Sequence, residues 1–290
     1  MEIKINLTSD WTQYLRSAIT AAGYSVSATE SLDELSYKYF NIRKRTVPDL
    51  CRAVHESRKL SCPQEHQLGY SALKTKFVTG NAVTPHLSKT ILSDSYEDQL
   101  LNDWGIHHFH LGQNVSNGFA DRTGPLLFAL VTNTDVYCID IKSHGAWSEQ
   151  EFIKTLHEEW PEAIQNYRIN GVLGLAYQPT NDDISTLRRA GVQTMIQIEE
   201  GVVYGPIGGG YSSAGTSVES RMLACRFQRM IIDIEKNVKE NAGLYVDKIR
   251  EQGLEPGSEL RFELLVNEKG FYVVEAGSRV AFLVHQHHQG

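Results

Sequence analysis

Three histidines stand within four residues in the first half of the chain, in the segment Trp104–Gly112. If this segment is a strand, His108 and His110 project from one face and His107 projects from the other, because side chains alternate along a strand. Two imidazoles on one face can contact the same substrate. The spacing therefore selects His108 and His110, and not His107, as candidates for joint chemistry.

Arg122 and His144 lie beyond the ends of neighbouring apolar segments, where loops present reactive side chains. RNA cleavage without a metal needs a base for the 2′-hydroxyl proton, an acid for the departing 5′-oxygen and a cation for the phosphate. Histidine titrates near neutral pH, and the arginine fork fits phosphate oxygens. We therefore predict that His108, His110 or His144 act as acid and base, while Arg122 stabilises the phosphate.

Four further residues are candidates for substrate contacts. Ser143 and Trp147 belong to the run Ser-His-Gly-Ala-Trp around the last of these histidines. Gly209 and Gly210 belong to a glycine-rich run that leads into a predicted helix, where free backbone amides can hold a phosphate. The run lacks the lysine of a P-loop and does not fit Gly-x-Gly-x-x-Gly, so a flexible connector capped by Ser217 is the competing interpretation.

The same histidines permit a second chemistry. Catalytic zinc sites use three protein ligands and keep one position open. His108, His110 and His144 could supply the ligands, with Asp121 or Asp140 nearby. This alternative is a zinc-dependent hydrolase, whereas acid–base catalysis by histidine needs no cofactor. A structural histidine strand without catalytic duty is the third interpretation.

Periodicity predicts the elements that position these residues. Ile106–Leu111, Leu126–Thr132 and Val136–Ile141 are short β-rich runs, and the turn Asn133–Asp135 joins the last two as an antiparallel hairpin. An amphipathic helix follows from residue 148 to about 159. Residues 98–165 are therefore predicted to form a compact unit with a small antiparallel sheet.

The remaining segments also mix helices and strands, so the predicted fold class is α+β. Residues 1–97 are expected to be mostly helical after a short opening strand, with one helix over 48–59. Residues 166–284 are expected to form a second α+β domain, with a strand at Gly171–Tyr177 and a long helix from Ser217 to Asn241. Residues 285–290 are expected to be a disordered tail.

The order of the middle segments resembles the RelE/YafQ group of bacterial toxin endoribonucleases. The resemblance rests on His108–Leu111, Arg122–Leu130 and Ser143–Trp147, and it covers about residues 98–155. It implies a helical pair before a small sheet and an enzyme that cuts mRNA, commonly on the ribosome. It also implies a cognate antitoxin or immunity protein that holds the enzyme inactive.

We therefore expect a metal-independent endoribonuclease of the toxin–antitoxin or phage-defence type. The competing hypothesis is a non-enzymatic protein of such a locus that binds a partner or a nucleotide. The run Met222–Ile234 has too broad an apolar stripe for a surface helix, which indicates a core helix. An interface with an antitoxin or in a homodimer is the second interpretation of this stripe.

The composition restricts the partners. A net charge of −7 argues against indiscriminate binding of nucleic acid, which depends on Lys and Arg. Residues 111–165 carry 3 basic and 8 acidic side chains, which opposes an RNA-cleaving role for this segment. No run approaches the roughly 18 apolar residues of a membrane span, so a cytoplasmic protein without a membrane partner is expected. The four cysteines lack Cys-x-x-Cys spacing and are expected to be reduced.

Overall fold

The computed structural model describes residues 2–286 and has an α+β fold. The helices are α1 Leu7–Ala21, α2 Leu32–Arg45, α3 Gln67–Thr79, α4 Gln99–Trp104, α5 Glu151–Glu159, α6 Pro161–Ile164, α7 Asn181–Arg189, α8 Val218–Glu240 and α9 Ala242–Glu251. The strands are β1 Glu2–Ile5, β2 Ala53–Glu56, β3 Ile106–His110, β4 Val115–Ser116, β5 Phe119–Ala120, β6 Pro125–Val131, β7 Asp135–Ser143, β8 Ile196–Glu199, β9 Val202–Tyr204, β10 Glu259–Asn267, β11 Gly270–Glu275 and β12 Ala281–Gln286. Short 3-10 turns lie at Gln64–His66, Thr84–His86, Lys89–Leu92 and Gln165–Tyr167.

The chain divides into two compact units. The first combines residues 1–40 with residues 222–290, and the second contains residues 41–221. The predicted boundaries after residues 97 and 165 both fall inside the second unit. Of the predicted tail, His285 and Gln286 belong to β12, and residues 287–290 lie outside the described residues.

The first unit is built on a four-stranded sheet with the order β1-β10-β11-β12. β1 pairs with β10 in parallel, and the other two pairs are antiparallel. The buried stripe of α1 repeats every four residues and consists of Leu7, Trp11, Leu15 and Ile19. The Trp11 ring lies 6.2 Å from Phe227 and 5.8 Å from Phe271, so aromatic side chains join helix and sheet in this core.

The second unit contains the sheet β2-β7-β6-β3. β3, β6 and β7 pair antiparallel, which confirms the predicted hairpin and the strand before it. The predicted helix over 48–59 is wrong, because this segment contains β2, which pairs with β7 in parallel. The Ala53 amide donates to the Thr134 carbonyl and the Ser57 amide to the Cys138 carbonyl. Backbone pairing with the edge of β7 therefore outweighs the local helical pattern of residues 48–59.

Both faces of this sheet are covered by apolar side chains. All five residues of β3 are buried. Ile106 packs in a core with Phe128 and Phe152, whereas Phe109 packs on the other face with Phe77. The predicted alternation is confirmed, since the His107 ring lies beside Phe109 at 5.9 Å, on the face opposite Ile106.

The region after residue 165 is less regular than predicted. α7 begins and ends at the predicted residues, and α8, most of which belongs to the first unit, differs from the predicted long helix by one residue at each end. The predicted strand at Gly171–Tyr177 is wrong: the segment forms no strand, and Leu173 is 78% exposed. Between residues 2 and 286, no helix has both the length and the apolar character needed to cross a membrane.

Candidate active site

A cleft of about 480 Å³ opens in the second unit beside β3. Its walls come from the segment 88–100, from β3, from the loops before β6 and after β7, and from α7. Four of the predicted site residues line it together: His108, Arg122, His144 and Trp147. Side chains separated by up to 39 positions in the sequence thus face one space.

The ring of Trp147 lies beside the rings of both histidines of the cleft. The centre of its ring lies 4.7 Å from the His108 ring and 5.0 Å from the His144 ring. Phe128 of β6 packs against it at 5.6 Å. The Trp147 carbonyl accepts a hydrogen bond from the Arg188 guanidinium, which fixes the backbone of the loop. One aromatic side chain therefore sets the relative placement of both imidazoles.

His108 occupies the inner wall of the cleft, and its side chain is only 10% exposed. Its Nδ1 lies 3.8 Å from the Asp98 Oδ2. Burial lowers the pKa of His108; the negative charge of Asp98 opposes this shift, while His144 and Arg122 add to it. Because the pKa lies below its usual value near 6.5, the ring is neutral at pH 7 and can accept a proton.

Arg122 and His144 occupy two adjacent loops and are both exposed. The loops are tied together, since the His144 amide donates to the Gly124 carbonyl at 2.9 Å. Arginine carries its charge at any physiological pH, so this mouth of the cleft offers a permanent cation beside an accessible imidazole. The arrangement can hold an anion and exchange protons next to it.

His110 does not line the cleft, which corrects its assignment as a catalytic residue. The residue is 2% exposed, and its Nδ1 accepts a hydrogen bond from the Thr123 amide at 3.2 Å. Burial lowers the pKa of His110 to about 4, and the positive charge of Arg122 adds to the shift. His110 is thus a neutral hydrogen-bond acceptor that holds the loop carrying Arg122.

Ser143 also lies outside the cleft lining. It is the exposed last residue of β7, and its carbonyl accepts the Ala146 amide in the turn that follows. The strand pairing explains this position, because Ser143 is paired with Pro125 at the end of the hairpin. Its predicted contact with substrate is therefore not supported by its location, and its backbone serves the loop.

Gly209 and Gly210 do not form the predicted phosphate cradle. The amides of Gly208, Gly209 and Gly210 donate to the carbonyls of Asp103, Pro206 and Asn102, respectively. A Cβ on Gly208 would lie 2.0 Å from the Leu101 carbonyl oxygen. The glycines thus allow two backbones to approach closely. Their amides are already occupied, so none is left to bind an anion.

The cleft residues that the sequence analysis missed include Asp98 and Arg188. Asp98 precedes the apolar start of α4, and this N-cap position was a signal that could have identified it. Arg188 had no local signal. It is 4% exposed, donates to the Asp103 Oδ2 at 2.7 and 3.0 Å, and lies 4.6 Å from the Trp104 ring. Only the fold brings α7 to the cleft.

The donor groups needed for the zinc alternative are not gathered in the described structure. No three His, Cys, Asp or Glu side chains between residues 2 and 286 are grouped as metal ligands would be. The Nδ1 of His110, one of the proposed ligands, accepts the amide of Thr123. The four cysteines are free thiols.

The acidic side chains of residues 111–165, all of which the structure describes, lie outside the cleft lining. Most have partners elsewhere: Glu151 and Glu158 pair with Lys59, and Asp135 pairs with His55 at 2.7 Å. The acidic side chains of the cleft are instead Glu97 and Asp98 on its opposite wall.

Comparisons with family models, with curated proteins and with solved structures found no match to this chain.

Proposed function

We propose that the second unit is a metal-independent endoribonuclease of the toxin or phage-defence type. The observation that carries this proposal is the convergence of two imidazoles and one guanidinium on a single cleft around Trp147. Cleavage of a phosphodiester by a neighbouring hydroxyl needs a base, an acid and a cation. His108, His144 and Arg122 are the three side chains of the cleft that suit these roles.

The neutral ring of His108 accepts the proton of the ribose 2′-hydroxyl. The 2′-oxygen then forms a bond to phosphorus while the bond from phosphorus to the 5′-oxygen breaks. His144, in its protonated form, donates a proton to the departing 5′-oxygen. Arg122 holds the phosphate oxygens as their negative charge grows. The products are a 2′,3′-cyclic phosphate and a free 5′-hydroxyl, and no oxidant or reductant takes part.

The acidic composition of residues 111–165 opposes this role less than the sequence indicates. Their carboxylates pair with groups such as Lys59 and His55, and none lines the cleft. The local charge at the cleft mouth comes from Arg122. A low total charge weakens non-specific attraction to RNA, so the proposal requires recognition by the cleft itself or by a partner that presents the RNA.

The test uses the purified chain and a mixed-sequence RNA in buffer with EDTA. We expect cleavage products ending in 2′,3′-cyclic phosphate. Alanine at His108 or at His144 is expected to reduce the rate at least about 100-fold, as for the loss of a general acid or base. His66→Ala is the matched control, because His66 does not line the cleft. Equal activity of a variant lacking His108, His144 and Arg122 would overturn the proposal.

The same assay separates the alternatives. Activity that disappears in EDTA and returns with Zn²⁺ would support the zinc-dependent hydrolase. RNA or nucleotide binding without cleavage, lost in the His108→Ala variant, would support a binding protein. Dependence on the ribosome, and inhibition by an antitoxin or immunity protein, remain predictions from the RelE/YafQ resemblance.

A further inference from the structure

We infer that Asp98 is a positioning residue for His108, orienting its ring and stabilising its protonated form through a carboxylate held rigidly at the start of α4. The effect of Asp98 on catalysis rests on the proposed function, but the contact between Asp98 and His108 does not. The orientation of the ring decides which nitrogen of His108 exchanges a proton with the substrate. With Nδ1 turned towards Asp98, Nε2 is the nitrogen left for proton transfer.

The Asp98 carboxylate is fixed by its own helix. Its Oδ1 caps α4 by accepting the Leu101 amide at 3.0 Å, and its side chain is only 13% exposed. Its backbone carbonyl accepts the Asn102 amide at 2.8 Å. One carboxylate oxygen is therefore committed to the helix, and this bond aims the other oxygen, Oδ2, at the Nδ1 of His108.

The separation of 3.8 Å from Oδ2 to Nδ1 exceeds hydrogen-bond length but lies within ion-pair range. A neutral imidazole gains little at this distance. When His108 takes up a proton, the carboxylate attracts the new charge and can close the gap. The geometry thus favours the state that His108 reaches after it has accepted a proton from substrate.

Charged and titratable groups face His108 from several elements. They are Glu97 and Asp98 before α4, Arg122 and His144 in the two loops, and Arg188 of α7. His107 and His110 belong to its own strand, with His107 on the opposite face. The Glu97 carboxylate is hydrogen-bonded to Asn41 and Asn102, whereas Asp98 is the acidic group whose charge favours the protonated form of His108. His144 and Arg122 oppose it, so the basicity of His108 depends on Asp98.

Tyr96 lies two residues before Asp98 in the same wall of the cleft. Burial, followed by the negative charge of Asp98, raises the pKa of Tyr96 to about 12. The phenol is therefore protonated throughout the useful pH range. The phenol therefore adds no negative charge beside Asp98 and His108.

Two substitutions remove the charge and keep the helix cap. Asp98→Asn retains a side-chain oxygen that can accept the Leu101 amide, and Asp98→Ser is also a good N-cap residue. Both variants are expected to unfold at about the same denaturant concentration as the unchanged chain. Asp182→Asn is the charge-matched control, because Asp182 is an exposed residue of α7 that does not line the cleft.

The deciding measurement is an NMR titration of the His108 ring in the intact chain, assigned by comparison with a His108→Gln variant. We expect the His108 pKa to fall by about one unit in both Asp98 variants, as on removal of a nearby opposite charge, and to stay unchanged in Asp182→Asn. An unchanged His108 pKa in folded Asp98→Asn and Asp98→Ser would overturn the inference.

Kinetics give the second readout. If the chain cleaves RNA, Asp98→Asn is expected to lower kcat, leave KM nearly unchanged, and move the acidic limb of the pH profile to lower pH. An unmoved profile would contradict the inference. If the unchanged chain cleaves no RNA, the proposed function fails, while the NMR titration still decides whether Asp98 acts on His108.

Discussion

Two regions of the second unit carry sequence signals for substrate binding, and the fold uses them in opposite ways. The cleft loops, residues 121–124 and 143–147, expose the side chains of Arg122 and His144 while their backbones are bonded to each other. In the glycine loop, residues 205–217, the amides of Gly208–Gly210 are occupied, and those of Gly208 and Gly210 donate to carbonyls of α4. Glycines before a helix therefore indicate an anion site only where the amides have no other acceptor.

The largest effect is expected from Arg188→Ala, which removes the support of the Trp147 loop and leaves Asp103 buried without its partner. The loss of stability is expected to be about 3–5 kcal/mol. Burial raises the pKa of Asp103, although Arg188 opposes this shift. Without Arg188 the folded chain holds a proton that the unfolded chain releases, so the loss is expected to be greater at pH 7 than at pH 5.

Urea unfolding at both pH values measures this effect. Arg189→Ala is the matched control, because Arg189 is exposed and bonds only within its own helix. Equal stability of the two variants at pH 7 would show that Arg188 does not support the cleft loop.

Gly208→Ala tests the structural role of the glycine loop. The new Cβ would lie 2.0 Å from the Leu101 carbonyl oxygen, and backbone cannot give way as a flexible side chain can. We expect a loss of about 3 kcal/mol in urea unfolding. Gly124→Ala in a cleft loop is the control, since its Cβ would meet nothing within 4 Å. A Gly208→Ala chain as stable as this control would contradict the explanation that Gly208 allows close packing against α4.

His110→Asn separates the buried histidine from the cleft. Because burial lowers the pKa of His110 to about 4, the unfolded chain binds a proton before the folded chain as pH falls below 6.5. Stability is therefore present above pH 6.5 and is lost as pH falls towards 4. Asparagine keeps an acceptor for the Thr123 amide but does not titrate.

The unchanged chain should lose about 2 kcal/mol more than His110→Asn between pH 7.5 and pH 5 in urea unfolding. His107 has a similarly low pKa, but it is present in both chains and cancels in the comparison. Identical slopes against pH would contradict the assigned environment of His110. If RNA is cleaved, His110→Asn should also retain activity within a few-fold at pH 7.5, whereas His108→Asn should not.

Gly145→Ala is expected to give the smallest of these effects. Gly145 has a φ of +113°, which disfavours a side chain, but an added Cβ would meet open space. The cost is expected to be about 1 kcal/mol in urea unfolding, from backbone strain alone. A loss as large as that of Gly208→Ala would mean that the cleft loop is packed as tightly as the glycine loop.

Sequence periodicity was sufficient wherever an element is defined by its own residues. The hairpin of β6 and β7, the alternation along β3, and the helices α7 and α8 were all predicted. These features depend on side-chain spacing and on turn and cap residues, which are local. The strand β2 was mistaken for a helix because its hydrogen bonds go to β7, about 80 residues away.

The sequence by itself selected the chemical types of the candidate site, and three of the four side chains that it proposed as catalytic, His108, Arg122 and His144, line one cleft. Tertiary structure decided the rest. In the folded chain His110 lies outside the cleft and accepts the Thr123 amide, and the amides of Gly208–Gly210 donate to backbone carbonyls. The fold also places Asp98 and Arg188 in the lining of the cleft. The reason is physical: residue type sets what a side chain can do, but burial and hydrogen-bond partners, which come from distant segments, decide whether it remains available.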